Sequence, residues 1–147
     1  TSAQTITLPA TVTKNKRGHT FPFGNMAKRV IDAIPRIDRS IYVFPAARDT
    51  GRRKQATVFN GWSKPKRVFD KRLEGVAPYT LHDLRRTLST HMASLGIAQI
   101  VVEKLLNHVS GGIQSPIAQV YNRHSYMAEM REAVEIYEEY LAKILSS

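Results

Sequence analysis

The chain has 147 residues, enough for a domain with a sizeable core, and it contains no cysteine, which excludes disulfides, thiolate nucleophiles and cysteine-bearing zinc sites and fits a reducing, cytoplasmic setting. No apolar run approaches the roughly 20 residues that span a bilayer, and no charged-then-apolar leader opens the chain, so neither membrane insertion nor secretion is expected. With 22 Lys+Arg against 12 Asp+Glu, the net charge of +10 points to a polyanionic partner, nucleic acid first.

In chain order, Thr5–Leu8 and His19–Phe23 read as two strands joined through the turn formers Lys14-Asn15-Lys16-Arg17-Gly18, a β-hairpin with a basic tip. Residues 25–34 follow a helical period through Met26, Val30, Ile31 and Ile34 and stop before Pro35. A short apolar run, Ile41–Phe44, ends at Pro45; Ala46–Gln55 reads as a basic surface loop, and Val58–Leu73 as a helix interrupted or begun near Pro65. The pattern Thr80-Leu81-His82-Asp83 has the side chains of a capping box and opens a helix ending at Gly96, with Leu81, Leu84, Leu88, Met92 and Leu95 as its buried stripe. A further helix spans about Ala98–Asn107, with Ile97, Val101, Val102, Leu105 and Leu106 turned inward. Gly111 and Gly112 mark a loop, and Ser115-Pro116 has the form of an N-cap followed by proline at the first helical position. The last helix, 126–145, carries Met130, Ala133, Val134, Tyr137, Leu141, Ile144 and Leu145 on one face. The fold class is therefore α+β, mainly α-helical with a small N-terminal antiparallel hairpin.

The charge is asymmetric. Residues 1–72 hold 16 basic and 4 acidic side chains, net +12, whereas residues 73–147 hold 6 and 8, net −2. Lys14, Lys16 and Arg17, then Arg48, Arg52, Arg53 and Lys54, then Lys64, Lys66, Arg67, Lys71 and Arg72 form three clusters that suit a phosphate track. His82 and Arg85 lie three apart in the first turn of their helix, where side chains share a face and the helix dipole favours an anion.

The segment Leu81-His82-Asp83-Leu84-Arg85-Arg86-Thr87 is followed, 23 residues after Arg85, by Leu105-Leu106-Asn107-His108, and 13 residues after that by Val120-Tyr121-Asn122-Arg123. In these three ordered boxes the chain resembles the tyrosine recombinases, specifically the integrases of temperate phages and genomic islands, whose signature is a His-x-x-Arg box, a Leu-Leu-Gly-His box and a downstream tyrosine. The resemblance runs from about Leu8 to the C-terminal helix and implies a recombinase catalytic-domain fold. It implies that Tyr121 attacks the scissile phosphate to form a 3′-phosphotyrosine, that Arg85 clamps the nonbridging oxygens, and that His82 assists in proton transfer or phosphate contact. His108 would hydrogen-bond a nonbridging oxygen, and Lys14, on the hairpin turn, would protonate the departing 5′-oxygen. It implies no cofactor, neither nucleotide nor metal. The implied partners are double-stranded attachment-site DNA, three further copies in a homotetramer and accessory DNA-bending proteins, acting at a bacterial nucleoid. Lys16, Arg17, Arg52, Arg53, Lys54, Lys64, Lys66 and Arg67 are the candidate DNA contacts.

The chain departs from the pattern in three places. Asn107 stands where the family has glycine. The interval from His108 to Tyr121 is about four residues longer than in the shortest members, so Tyr126 competes with Tyr121 for the nucleophile role. The family's first catalytic arginine lies on a helix upstream of the hairpin, so residues 1–147 are read as a partial catalytic domain, expected to be silent alone. His19, His91 and His124 are expected to be surface or packing residues, Tyr42, Tyr79, Tyr137 and Tyr140 core or rim aromatics, and Trp62 a packing residue. Two other readings stay open: a non-catalytic helix-turn-helix module, against which the 98–107 helix offers only Lys104 as a base-reading cation, and a type IB topoisomerase-like enzyme. The apolar face of the last helix is to be covered either by its own domain or by a neighbouring protomer.

Overall fold

The computed structural model describes residues 4–36, 40–46, 58–108 and 124–146. Residues 47–55 of the expected 46–55 loop, the loop at 111–112, the helix start at Ser115-Pro116, Tyr121, Arg48, Arg52, Arg53 and Lys54 lie outside these residues. The chain forms two compact units, one of Thr1–Val30 with Leu81–Ser147 and one of Ile31–Thr80.

The first unit opens with the expected hairpin. Strands β1 (Thr5–Leu8) and β2 (His19–Pro22) pair antiparallel with Ile6 opposite Phe21 and Leu8 opposite His19. The hydroxyls of the facing Thr7 and Thr20 lie 2.9 Å apart. The connection is a broad loop held by side chains. Thr13, only 6% exposed, donates its hydroxyl to the carbonyls of Arg17 (2.8 Å) and Ala10 (3.2 Å), and the Asn15 carboxamide oxygen accepts from the Arg17 amide at 3.1 Å. These bonds put the left-handed backbone at Lys16 (φ 56°), while the neighbouring Gly18 has no such requirement.

Helix α1 (Asn25–Asp32) follows, and α3 (Leu81–Ser94) starts directly after Thr80. Helix α3 closes in a Schellman motif: Gly96 is left-handed (φ 78°), its amide bonds to the carbonyl of Ala93 and that of Ile97 to Met92, each at 3.1 Å. Helix α4 (Gln99–Leu105) ends the same way, with Asn107 left-handed (φ 51°), its amide on Lys104 (3.2 Å) and the His108 amide on Glu103 (3.0 Å). Helix α5 (Met127–Leu145) completes the unit. Met92, Val101, Val102, Met130 and Ala133 are its buried apolar residues, and Ile97, Ile100, Leu105, Tyr126 and Met127 pack around Val101, Met130 and Ala133. Helix α5 packs on α4, β2 and α3 of its own chain, with Met130 and Ala133 buried.

Two stripes are shorter than their periodicity. Leu81 and Leu84 are 54% and 57% exposed, because the burial of α3 is confined to its second half, where Met92 enters the core and His91 meets the rings of Tyr137 and Tyr140. Ile144 and Leu145, in the last turn of α5, are likewise exposed. Helix α4 turns Val101, Val102 and Glu103 into the core.

In the second unit, helix α2 occupies Ser63–Asp70. It begins near Pro65, as one of the two readings of the 58–73 pattern has it, and before it Val58 bridges to Pro45 and the Phe59 amide donates to the Phe44 carbonyl at 2.8 Å, holding that segment extended. Trp62 packs edge-on against Phe44 (5.8 Å) and Phe59 (5.0 Å), the packing role expected of it, with about half its surface still exposed.

Candidate active site

The first turns of α3 and the C-terminal end of α4 converge. His82, Arg85, Arg86, Ser89, Thr90 and His108 line one open concavity of about 260 Å³. Within it, Arg85 Nε donates to His108 Nε2 at 3.1 Å. Arg85 and His82 share a face because they are three residues apart on α3. His108 is set by the Schellman motif: with Asn107 left-handed and the His108 amide bonded to the Glu103 carbonyl, the chain turns sharply off α4 and aims the imidazole at α3. The physical requirement at position 107 is a residue that tolerates positive φ, which glycine and asparagine both meet. Arg86 is turned to its own helix, its Nη1 3.2 Å from Asp83.

The hairpin loop reaches the same place. Asn15 Nδ2 donates to Asn107 Oδ1 at 3.0 Å, so the residue after Lys14 touches the residue before His108. A second tie comes from β2, where His19 Nε2 donates to the Leu105 carbonyl at 3.4 Å, meeting an acceptor that the helix end leaves without an intrahelical partner. Burial pushes the His19 imidazole below its usual range and the positive charges of Arg85 and Lys104 add to that, with the Leu105 bond acting the other way. The sequence marks His19 as a surface or packing residue and Asn15 as a turn former; contacts spanning 86 and 92 residues leave no local periodicity from which to find these ties.

Of the other anticipated residues, Lys14, Lys16 and Arg17 are exposed on the hairpin loop, and Lys64 and Arg67 are exposed on α2. Lys66 differs from them: its ammonium lies 2.7 Å from Asp70 and 3.8 Å from the centre of the Tyr79 ring, and its side chain is 15% exposed. Its charge is balanced internally, so it is not a free cation of the cluster. Tyr126 packs on the core of the first unit, its ring 4.6 Å from that of His124 and 5.7 Å from Lys104 Nζ. His124 Nε2 in turn lies 2.6 Å from Glu129, whose carboxyl is held below the usual carboxylate range by its own backbone amide first and by His124 second.

An open cavity lined by the Arg85 guanidinium and the imidazoles of His82 and His108, with a basic loop tied to its edge, has the donors to hold an anion. The profile of the phage integrase family matches residues 1–128, and the chain belongs to that family. Membership carries a role in site-specific DNA recombination and DNA binding. Neither the curated proteins nor the solved structures yielded a match. Among the described residues no helix is long and apolar enough to cross a membrane.

Proposed function

We propose that this protein cuts and rejoins DNA at specific sites through a 3′-phosphotyrosine at Tyr121. The observation that carries the reading is the Arg85–His108 hydrogen bond, which joins two of the three motif boxes in one cavity that His82 also lines. Arg85 clamps the nonbridging oxygens of the scissile phosphate and His108 hydrogen-bonds one of them as their charge grows with the phosphorus becoming five-coordinate; fixed donors aimed at that charge are worth several kcal/mol, of order 2.7–4 for a single donor. The Tyr121 oxygen forms a bond to phosphorus and the bond to the 5′-oxygen breaks, Lys14 giving that oxygen its proton. A phenol with a pKa near 10 is a weak nucleophile at neutral pH, so this cationic setting and a base, His82, are what make it competent. Rejoining runs the step in reverse with the 5′-hydroxyl as nucleophile, and the energy kept in the tyrosyl ester needs no nucleotide. Tyr121 is favoured over Tyr126 because the Tyr126 ring is engaged in packing between the core and His124. The working assembly is a homotetramer on two attachment sites, with accessory DNA-bending proteins and the exposed cations Lys16, Arg17, Lys64 and Arg67 among its DNA contacts, together with Arg52, Arg53 and Lys54.

The test is strand transfer by the intact protein between two duplexes carrying its recombination site, in the presence of chelator. Joining of strands from different duplexes supports recombination. Relaxation of supercoils without any such joining would favour the topoisomerase reading instead.

A further inference from the structure

We infer that the Asn15–Asn107 pair is a clasp that positions Lys14 for leaving-group protonation, making both asparagines positioning residues of the cleavage step; the inference rests on the strand-cleavage reading above. Lys14 lies on a ten-residue connection between β1 and β2, the kind of segment whose long side chains sample many positions. Three observations show it to be fixed at one point. Thr13, buried on one side of Lys14, closes the loop by donating to the Arg17 and Ala10 carbonyls. Asn15, on its other side, uses both ends of its carboxamide: the oxygen accepts from the Arg17 amide at 3.1 Å, and the nitrogen donates to Asn107 Oδ1 at 3.0 Å. Asn107 is itself immobilised by the Schellman motif that aims His108. The backbone bearing Lys14 is thereby referred to the same helix end that holds His108, so the proton donor and the phosphate contact share one reference point.

Asn107 serves two separable purposes here. Its backbone takes the left-handed conformation that ends α4, which glycine adopts at no steric cost. Its side chain supplies the acceptor for Asn15, which glycine cannot. Asn107→Gly therefore preserves the helix end and deletes only the clasp, and Asn15→Ala deletes it from the other side while also loosening the turn.

The experiment compares single-turnover cleavage of an ordinary phosphodiester with that of a substrate whose 5′-leaving oxygen is replaced by sulfur, in the intact protein. A thiolate, the anion of a group with a pKa near 8.5, departs without a proton. Asn107→Gly is expected to slow cleavage of the ordinary substrate about 10- to 100-fold, the scale of a misplaced catalytic group, and to cleave the sulfur substrate at close to the wild-type rate, with an unchanged melting temperature. Asn15→Ala should behave alike, and adding either change to Lys14→Ala should cost nothing further on the ordinary substrate. An equal defect on both substrates, or none on either, would overturn the clasp. If Lys14→Ala itself is not relieved by sulfur, the general-acid role fails and the clasp's purpose with it; if wild-type protein cleaves neither substrate, the cleavage reading fails.

Discussion

Arg85 and His108, 23 residues apart in sequence, are joined by a hydrogen bond of 3.1 Å from the guanidinium Nε to the imidazole Nε2. Since Nε can only donate, that ring nitrogen is the acceptor of the bond. The bond uses only one edge of the guanidinium, which leaves the paired Nη groups able to turn to a phosphate in the fork geometry that suits two oxygens.

That geometry sets the first prediction. Arg85→Lys keeps the charge but replaces the planar fork by a point-charge ammonium. Single-turnover cleavage by the intact protein should fall about 100-fold or more, in line with the ~2.7–4 kcal/mol attributed to one transition-state donor, while DNA affinity changes little. Near-normal cleavage would contradict the clamp.

His19 makes stability depend on pH. Its imidazole titrates below the unfolded value of 6.5, because burial disfavours the charged form. Between the folded and unfolded values the unfolded chain binds more protons, so this contribution is fully present above about pH 6.5 and declines as the pH falls toward the folded value. Urea denaturation from about pH 7.5 down to the folded value should therefore show a loss that His19→Gln reduces. An identical pH profile in the variant would place the effect elsewhere.

The C-terminal helix is tied to the start of α1 by Glu138, whose Oε1 accepts from the amides of Met26 (2.8 Å) and Ala27 (3.2 Å). These are orphan donors of a helix N-terminus, and a carboxylate there also meets the positive end of the helix dipole. Glu138→Ala should cost about 1–2 kcal/mol. A Cβ on Gly24 would collide with the Glu138 carboxylate, so Gly24→Ala should displace the same cap. The double variant, read by denaturant titration, should lose much less than the sum of the two single losses; full additivity would show that Gly24 acts independently of Glu138.

The local signals in the sequence carried well where the physics was local. Gly96 ends α3, and the Thr5–Leu8 and His19–Phe23 segments pair. The separation of the chain into two units and the exposure of Leu81 and Leu84 depend on which elements meet, which a helical period does not encode. At the site, the boxes give the identities of Arg85 and His108, but the Asn15, His19 and Glu138 contacts join residues 86 to 112 apart through single polar bonds. No composition or spacing distinguishes such residues from ordinary surface ones.

Salt dependence separates the cations of α2. Lys64 and Arg67 are exposed, whereas Lys66 is paired with Asp70 and covered by Tyr79. If the exposed pair contacts phosphate, replacing each by Ala should lower the slope of log affinity against log salt by about one. Lys66→Ala should leave that slope nearly unchanged. A larger effect from Lys66 than from Lys64 or Arg67 would reverse this assignment.

Joining of Tyr121 to DNA can be read by trapping the intact protein on a nicked duplex carrying its recombination site and mapping the modified peptide by mass spectrometry. The account predicts a nucleotide attached through its 3′-phosphate to Tyr121, lost in Tyr121→Phe and retained in Tyr126→Phe. Attachment at Tyr126, or cleavage that leaves no covalent adduct, would contradict it.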